Sequence, residues 1–259
     1  MNYFVAYHTD VGLRKKTNQD SMAVKIIDTP KGRAVFAIVC DGMGGLASGE
    51  LASKEVIQAY CNWFDTEFAA MVLQEQYDSN AVFNVWRGLA ISENERLARY
   101  GARNGVSLGT TLSAILLFQG QYLVVHVGDS RIYELTKQEI RQITEDQSVV
   151  AREVALGNLT PEQALRDPRR SILLQCIGAS PMVEPAFFEG EVTADRSYLI
   201  CSDGFCHEVG LKEMHDKLGP DACVNSGVMQ KNCIQLTNLV KTRMELDNIS
   251  MILLKTYDA

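Results

Sequence analysis

Residues 111–143 read TLSAILLFQGQYLVVHVGDSRIYELTKQEIRQI. Four apolar runs rich in Val, Ile, Leu and Tyr stand in this stretch, at 111–118, 122–127, 131–135 and 139–143. Gly120-Gln121 separates the first pair and Thr136-Lys137-Gln138 the last. Turns this short join antiparallel neighbours, because a parallel crossover needs a dozen or more residues. Working outward, similar runs precede it at 3–8, 22–27 and 34–40 and follow it at 186–189, 197–201 and 249–255. Each is rich in β-formers and bounded by Gly, Asp or Pro. Two helical patterns lie between the runs at 34–40 and 111–118. Residues 48–68 place Ala52, Val56, Ala59, Tyr60, Trp63 and Phe64 at spacings of three and four, and residues 80–103 do the same with Val82, Val85, Trp86, Leu89 and Leu97. A further helix is expected over 224–244. Strands in runs and helices in pairs predict an α+β fold rather than alternating βαβ units.

Residues 147–190 break this rhythm. They carry two short helical stretches, 148–156 and 161–166, and then the basic Asp167-Pro168-Arg169-Arg170. The expectation is one domain over 1–259 with a flap subdomain at about 147–190.

Composition narrows the function classes. The 259 residues are long enough for a sizeable core, and 46% hydrophobic with 22% charged residues is an ordinary globular balance. A net charge of -7 argues against a nucleic-acid partner. The seven cysteines form no Cys-x-x-Cys pair and the four histidines show no ligand spacing, so buried thiols in a reducing compartment are expected, not a zinc site. No signal peptide and no membrane-length apolar run is visible, so a cytoplasmic protein with no membrane association is expected.

Four aspartates stand at the ends of apolar runs. Asp41 closes AVFAIVC and precedes Gly42; Asp129 follows YLVVHVG; Asp203 follows SYLICS and precedes Gly204; Asp247 opens DNISMILL. Alone, each reads as a turn. Converging from rigid strand ends, they would repel one another unless cations lay between them. Hard divalent ions such as Mn²⁺ and Mg²⁺ prefer oxygen ligands, and the glycine after Asp41 would let a backbone carbonyl join them.

Taken in order, the motifs are specific. They run Thr9-Asp10-Val11-Gly12, Thr17-Asn18-Gln19-Asp20-Ser21, Val39-Cys40-Asp41-Gly42-Met43-Gly44-Gly45 and Gly109-Thr110-Thr111. Val127-Gly128-Asp129-Ser130-Arg131, Thr144-Glu145-Asp146-Gln147-Ser148, Ser202-Asp203-Gly204 and Asp247-Asn248-Ile249-Ser250 follow. In this the sequence resembles the type 2C family of metal-dependent serine/threonine protein phosphatases, the PPM group, in its bacterial single-domain form. The resemblance covers nearly the whole chain. It implies two packed antiparallel β-sheets flanked by pairs of helices, a four-layer αββα sandwich with a flap insertion. It also implies two or three Mn²⁺ or Mg²⁺ ions. Asp41 would bridge the first two, Asp203 and Asp247 would hold the first, and the Gly42 carbonyl would contact the second. Asp20 would bind the second through water, Asp129 would join Asp203 at a third, and Asn248 would orient Asp247. The implied reaction is hydrolysis of phosphoserine and phosphothreonine in proteins by a water bridging two cations, without a covalent phosphoenzyme. Implied partners are phosphorylated proteins, a serine/threonine kinase or its substrates, acted on by a monomer.

Three positions depart from the family pattern. Lys15 stands where the family usually has a phosphate-gripping arginine; it supplies charge without a bidentate fork, and Arg14 is its rival. Gln19 replaces an acidic residue often found before Asp20. Met43 replaces a histidine that some relatives carry as a proposed general acid, leaving the leaving group's proton source open.

Other readings lead to different experiments. Residues 42–47 also fit G-x-G-x-x-A, but Asp41 interrupts the strand and no strand with an acidic end follows about 20 residues on, as a dinucleotide site requires. A phosphatase-like phosphopeptide sensor without turnover is separated by a Mn²⁺-dependent assay. A small phosphoester in place of a protein substrate also remains open.

Overall fold

The computed structural model describes residues 1–44 and 48–258. Strand β3 (Gly32–Cys40) accounts for much of the architecture. Its Ala34, Phe36, Ile38 and Cys40 belong to a core beneath helices, while Val35, Ala37 and Val39 belong to a second core facing another sheet. Side chains alternate faces along a strand. One buried on both faces therefore needs an apolar residue at every position, and AVFAIVC supplies that.

β3 lies in a five-stranded sheet with β10 (Ala186–Glu191), β7 (Gln121–Val127), β6 (Leu112–Phe118) and β2 (Ser21–Thr29), in the order β10-β7-β6-β3-β2. The second sheet has the order β1-β12-β11-β8-β9. Its strands are β1 (Asn2–Asp10), β12 (Ile249–Tyr257), β11 (Ser197–Cys201), β8 (Arg131–Leu135) and β9 (Ile140–Gln142). Neighbours in both sheets pair antiparallel.

Helices cover the outer faces. α1 (Ser48–Trp63) and α3 (Ser79–Asn104) pack on the first sheet through Tyr60, Trp63 and Trp86, and the two indoles meet edge-on at 5.3 Å. α7 (Leu211–Leu218) and α8 (Ser226–Thr242) cover the second through Met214, Leu218, Met229, Cys233 and Leu236. The expected αββα sandwich of two antiparallel sheets and paired helices is thus present. Among the described residues no helix is long and apolar enough to cross a membrane.

Several local features differ from the pattern in the sequence. The helix expected over 48–68 changes at Phe64 into a π-helical turn, Phe64–Phe68, before α2 (Ala69–Leu73). That wider turn brings Phe64 and Phe68 into a stack at 5.0 Å on the core side. The helix expected over 161–166 is only α5 (Pro161–Ala164). Pro168 follows closely, and proline disfavours helical geometry in the residue before it. Two three-residue strands, β4 (Gly42–Gly44) and β5 (Leu108–Thr110), form a small third sheet. Of the sequence stretch 42–47, residues 45–47 lie outside the described residues.

Between β9 and β10 run α4 (Val149–Ala155) and α5. The isolated bridge Thr110↔Ile177 stitches this segment to β5, and the bridge Ser148↔Leu173 closes the segment on itself.

The layering locates the site. Tyr198 and Ile200 of β11 and Ile252 and Leu254 of β12 share the inter-sheet core with Val35, Ala37 and Val39, and Met22 and Val24 of β2 pack against it. Continuing each strand's two-residue period past its apolar end reaches Asp20, Asp41, Ser202, Ser250 and Asn248. At that end the inter-sheet face changes from apolar to polar.

Candidate metal centre

Asp41 is fixed through its backbone. Its N–H donates to Thr111 Oγ1 (2.9 Å), and its carbonyl accepts the Thr110 hydroxyl (2.9 Å) and the Thr111 N–H (2.9 Å). Thr111 Oγ1 also lies 2.7 Å from Ser130 Oγ, beside Asp129. The side chain of Asp41 is thereby left to face the carboxylates of Asp20, Asp203, Asp247 and Asp129. Gly42 is required by close packing: a Cβ there would lie 2.3 Å from the Gly49 carbonyl oxygen and 2.5 Å from that of Gln19. The glycine therefore lets α1 and the Gln19 loop close onto the strand end, a role the sequence did not suggest.

Asp20 is buried, with Oδ2 accepting the Ser202 hydroxyl at 2.9 Å and Oδ1 without a hydrogen-bond partner. Asp203 is buried too and also keeps one oxygen, Oδ1, unpartnered. It does not sit in a tight turn, as its Asp-Gly pair suggested, but opens the short helix α6 (Asp203–Cys206). Gly204 is needed there, since a Cβ would meet the Asn248 carbonyl at 2.2 Å.

Asp247 is half-buried, and Lys15 Nζ lies 2.7 Å from its Oδ1. The Asn248 side chain holds the N-terminal loop: Nδ2 donates to the carbonyls of Val11 (2.9 Å) and Thr17 (3.2 Å), and Oδ1 accepts the Gln19 N–H (2.9 Å). Its hydrogen bond to Asp247 comes from the backbone, whose N–H donates to Asp247 Oδ1 (2.8 Å). Asp129 is buried between β7 and β8, after Gly128 at φ +107.

These carboxylates interact. Burial pushes the Asp41 carboxyl well above its usual range, and the charges of Asp20, Asp203, Asp247 and Asp129 add to the effect. Asp129 is raised likewise, first by burial and then by Asp203 and Asp146. Asp20 is pushed up to about 7, by burial first and by Asp203 and Asp247, against the hydroxyls of Ser250 and Ser202. Partial burial lowers Lys15, but the bond to Asp247 and the charges of Asp247, Asp41 and Asp203 leave it raised overall. Among the described residues no group of three His, Cys, Asp or Glu side chains is drawn together tightly enough to hold an ion as it stands. The donor set nevertheless suits a hard cation: it is all oxygen, and two buried carboxylate oxygens lack any other partner.

Two cavities flank the cluster. One, of about 580 Å³, is lined by Arg14, Lys15 and Lys16 on one side and by Met244, Leu246 and Asp247 on the other. The second, of about 820 Å³, runs from Asp129 under α4 and α5 and includes Arg131 and Asp146. Those two form a bidentate pair, Nε to Oδ1 at 2.9 Å and Nη2 to Oδ2 at 2.7 Å.

The sequence profile described as protein phosphatase 2C matches residues 10–228. The chain belongs to that family. As a member it is a metal-dependent serine/threonine protein phosphatase. The serine/threonine phosphatase stp of Listeria innocua is 32% identical over 218 residues, covering 82% of this chain and 81% of that one. Among solved structures, the serine/threonine phosphatase Stp1 of Staphylococcus aureus superposes with a TM-score of 0.83 at 29% identity, covering 98% of this chain and 95% of that one. The catalytic domain of the phosphatase PstP, in complex with two manganese ions, superposes with a TM-score of 0.79 at 26% identity, covering 99% of this chain and 100% of that one.

In this phosphatase Asp20, Asp41, Asp129, Asp203 and Asp247 lie close enough together at one end of the inter-sheet core for their charges to act on one another, while Lys15 and Arg14 line the cavity beside Asp247. Sequence reasoning missed Ser202, Thr110 and Thr111 as partners of Asp20 and Asp41, although all three lie within the quoted motifs. It also missed Gly49, which is indistinguishable from any helical glycine.

Proposed function

We propose that this chain hydrolyses phosphoserine and phosphothreonine in proteins using two or three Mn²⁺ or Mg²⁺ ions. Asp41, Asp203 and Asp247 are their principal ligands, with Asp20, Asp129 and the Gly42 carbonyl completing the set. The observation that carries this reading is the pair of buried, unpartnered oxygens, Asp20 Oδ1 and Asp203 Oδ1, inside a group of mutually destabilised carboxylates. Such oxygens are costly to bury unless a cation satisfies them.

Bound there, divalent cations supply a water of lowered pKa and offset charge on the phosphoryl oxygens. The chain's own residues do the rest. The Thr110–Thr111 hydrogen bonds hold Asp41 in one geometry. Asn248 fixes the loop carrying Arg14 and Lys15. Lys15 exchanges its Asp247 partner for the substrate phosphate, with Arg14 beside it as a second cationic contact. All seven cysteines are buried, which supports direct displacement by water over a cysteinyl-phosphate. The segment at 147–190 acts as a flap beside the cleft. Substrates are phosphoproteins, a serine/threonine kinase or its targets, met by a monomer in the cytoplasm.

The test is hydrolysis of a phosphothreonine peptide with and without Mn²⁺, run beside Asp41→Asn. Mn²⁺-dependent turnover that the variant loses is expected. Turnover indifferent to both Mn²⁺ and the substitution would overturn the assignment.

A further inference from the structure

Glu245 is buried two residues before Asp247, at 7% exposure. Its Oε1 accepts the N–H groups of Leu246 (2.7 Å) and Asp247 (3.1 Å), so the backbone leading into β12 winds around this carboxylate. The preceding residue, Met244, stands at φ +69, and the Glu245 N–H reaches back to the Val240 carbonyl (3.4 Å) at the end of α8. The other oxygen, Oε2, is buried with no hydrogen-bond partner. It faces His207 Nδ1 at 3.8 Å, and the same nitrogen lies 3.9 Å from Asp203 Oδ2. The imidazole thus stands between the carboxylate that organises the Asp247 segment and the carboxylate of Asp203.

A neutral amide oxygen could also accept the two backbone N–H groups, though less strongly than a carboxylate does. The negative charge is not needed for that, and burying it near two further carboxylates is costly. It becomes favourable when a cation lies nearby. We infer that Glu245 is a positioning residue for the cation held by Asp203 and Asp247. It sets the backbone carrying Asp247, is linked to Asp203 through His207, and adds charge that strengthens cation binding. This rests on the proposed reading of Asp203 and Asp247 as ligands.

Calorimetric titration of the full chain with Mn²⁺, paired with melting curves of the metal-free protein, tests the inference. Glu245→Gln keeps an oxygen for the two N–H groups and removes the charge. It is expected to weaken Mn²⁺ binding by about ten- to a hundredfold, the usual effect of losing a group behind a ligand, without lowering the metal-free melting temperature. His207→Ala should also change the affinity, and its effect should be non-additive with Glu245→Gln in the double variant. A Glu245→Gln protein with wild-type affinity overturns the inference, as does one in which only the metal-free melting temperature falls. Strict additivity overturns the link through His207. Absence of Mn²⁺ binding by the unsubstituted protein, or full binding by Asp41→Asn, would strike at the ligand reading itself.

Discussion

Lys15 shows how one side chain can serve two partners. Its ammonium rests on Asp247 Oδ1, and the charges of Asp41 and Asp203 also act on it. A cation at Asp247 competes with it, and a phosphate dianion gives it a new partner. Removing it should therefore act in opposite directions on the two ligands. Lys15→Ala is expected to tighten Mn²⁺ binding severalfold by removing a competing charge, while raising KM for phosphopeptide by about tenfold as a phosphate contact is lost. Calorimetry for the metal and steady-state kinetics at saturating Mn²⁺ read the two effects separately. Weaker Mn²⁺ binding would contradict the competition, and an unchanged KM would leave Arg14 as the phosphate contact.

At the level of elements, most of the fold was legible because the strands obey a simple burial rule. β8 and β11 coincide with the runs read from the sequence, and the other predicted strands differ only at their ends. What escaped is structure made by tertiary contact. β4 is Gly-Met-Gly with no strand propensity of its own, and it exists through its pairing with β5. α6 is a single turn, and α7 buries only Met214 and Leu218, too brief a pattern to stand out. The candidate site was legible as a list of aspartates but not as a geometry. No local pattern predicts that Asn248 would fasten a loop more than 200 positions away in sequence. The contact of Gly49 with Gly42 belongs to the same class. A Cβ on Gly49 would lie 2.7 Å from the Gly42 carbonyl carbon. Gly49→Ala should push α1 away from the strand bearing Asp41, costing about 1–3 kcal/mol of stability as an overpacked contact, with a larger proportional loss of activity. Chemical denaturation and peptide hydrolysis measure the two, and a fully active, fully stable variant would refute the packing argument.

At the level of the whole molecule, catalytic fitness and stability oppose one another in the metal-free protein. The Asp20 carboxyl titrates at about 7 in the fold against 3.8 ordinarily. The folded state therefore binds a proton that the unfolded state has already released between those values. This group's destabilising effect is absent below the lower value and grows as pH rises toward the upper one. Mn²⁺ needs the ionised carboxylate, so its binding strengthens over the same range. The expected result is a Mn²⁺-induced rise in melting temperature that is larger at about pH 8 than at about pH 5.5, with Asp20→Asn reducing the difference. Equal shifts at both pH values would argue against metal–proton competition at this group.

The pairing of β12 between β1 and β11 also governs how the enzyme comes into being. The sheet carrying β2, β3, β6, β7 and β10 is complete once residue 191 has been translated. The other sheet waits for residues 249–257 to supply the strand that joins its opposite halves. Domains emerge from the ribosome from the N-terminus onward at roughly 5–20 residues per second. A nascent chain thus carries one paired sheet and one open sheet until residues 249–257 have left the exit tunnel. It cannot strip phosphate from neighbouring proteins before Asp247 and β12 have emerged.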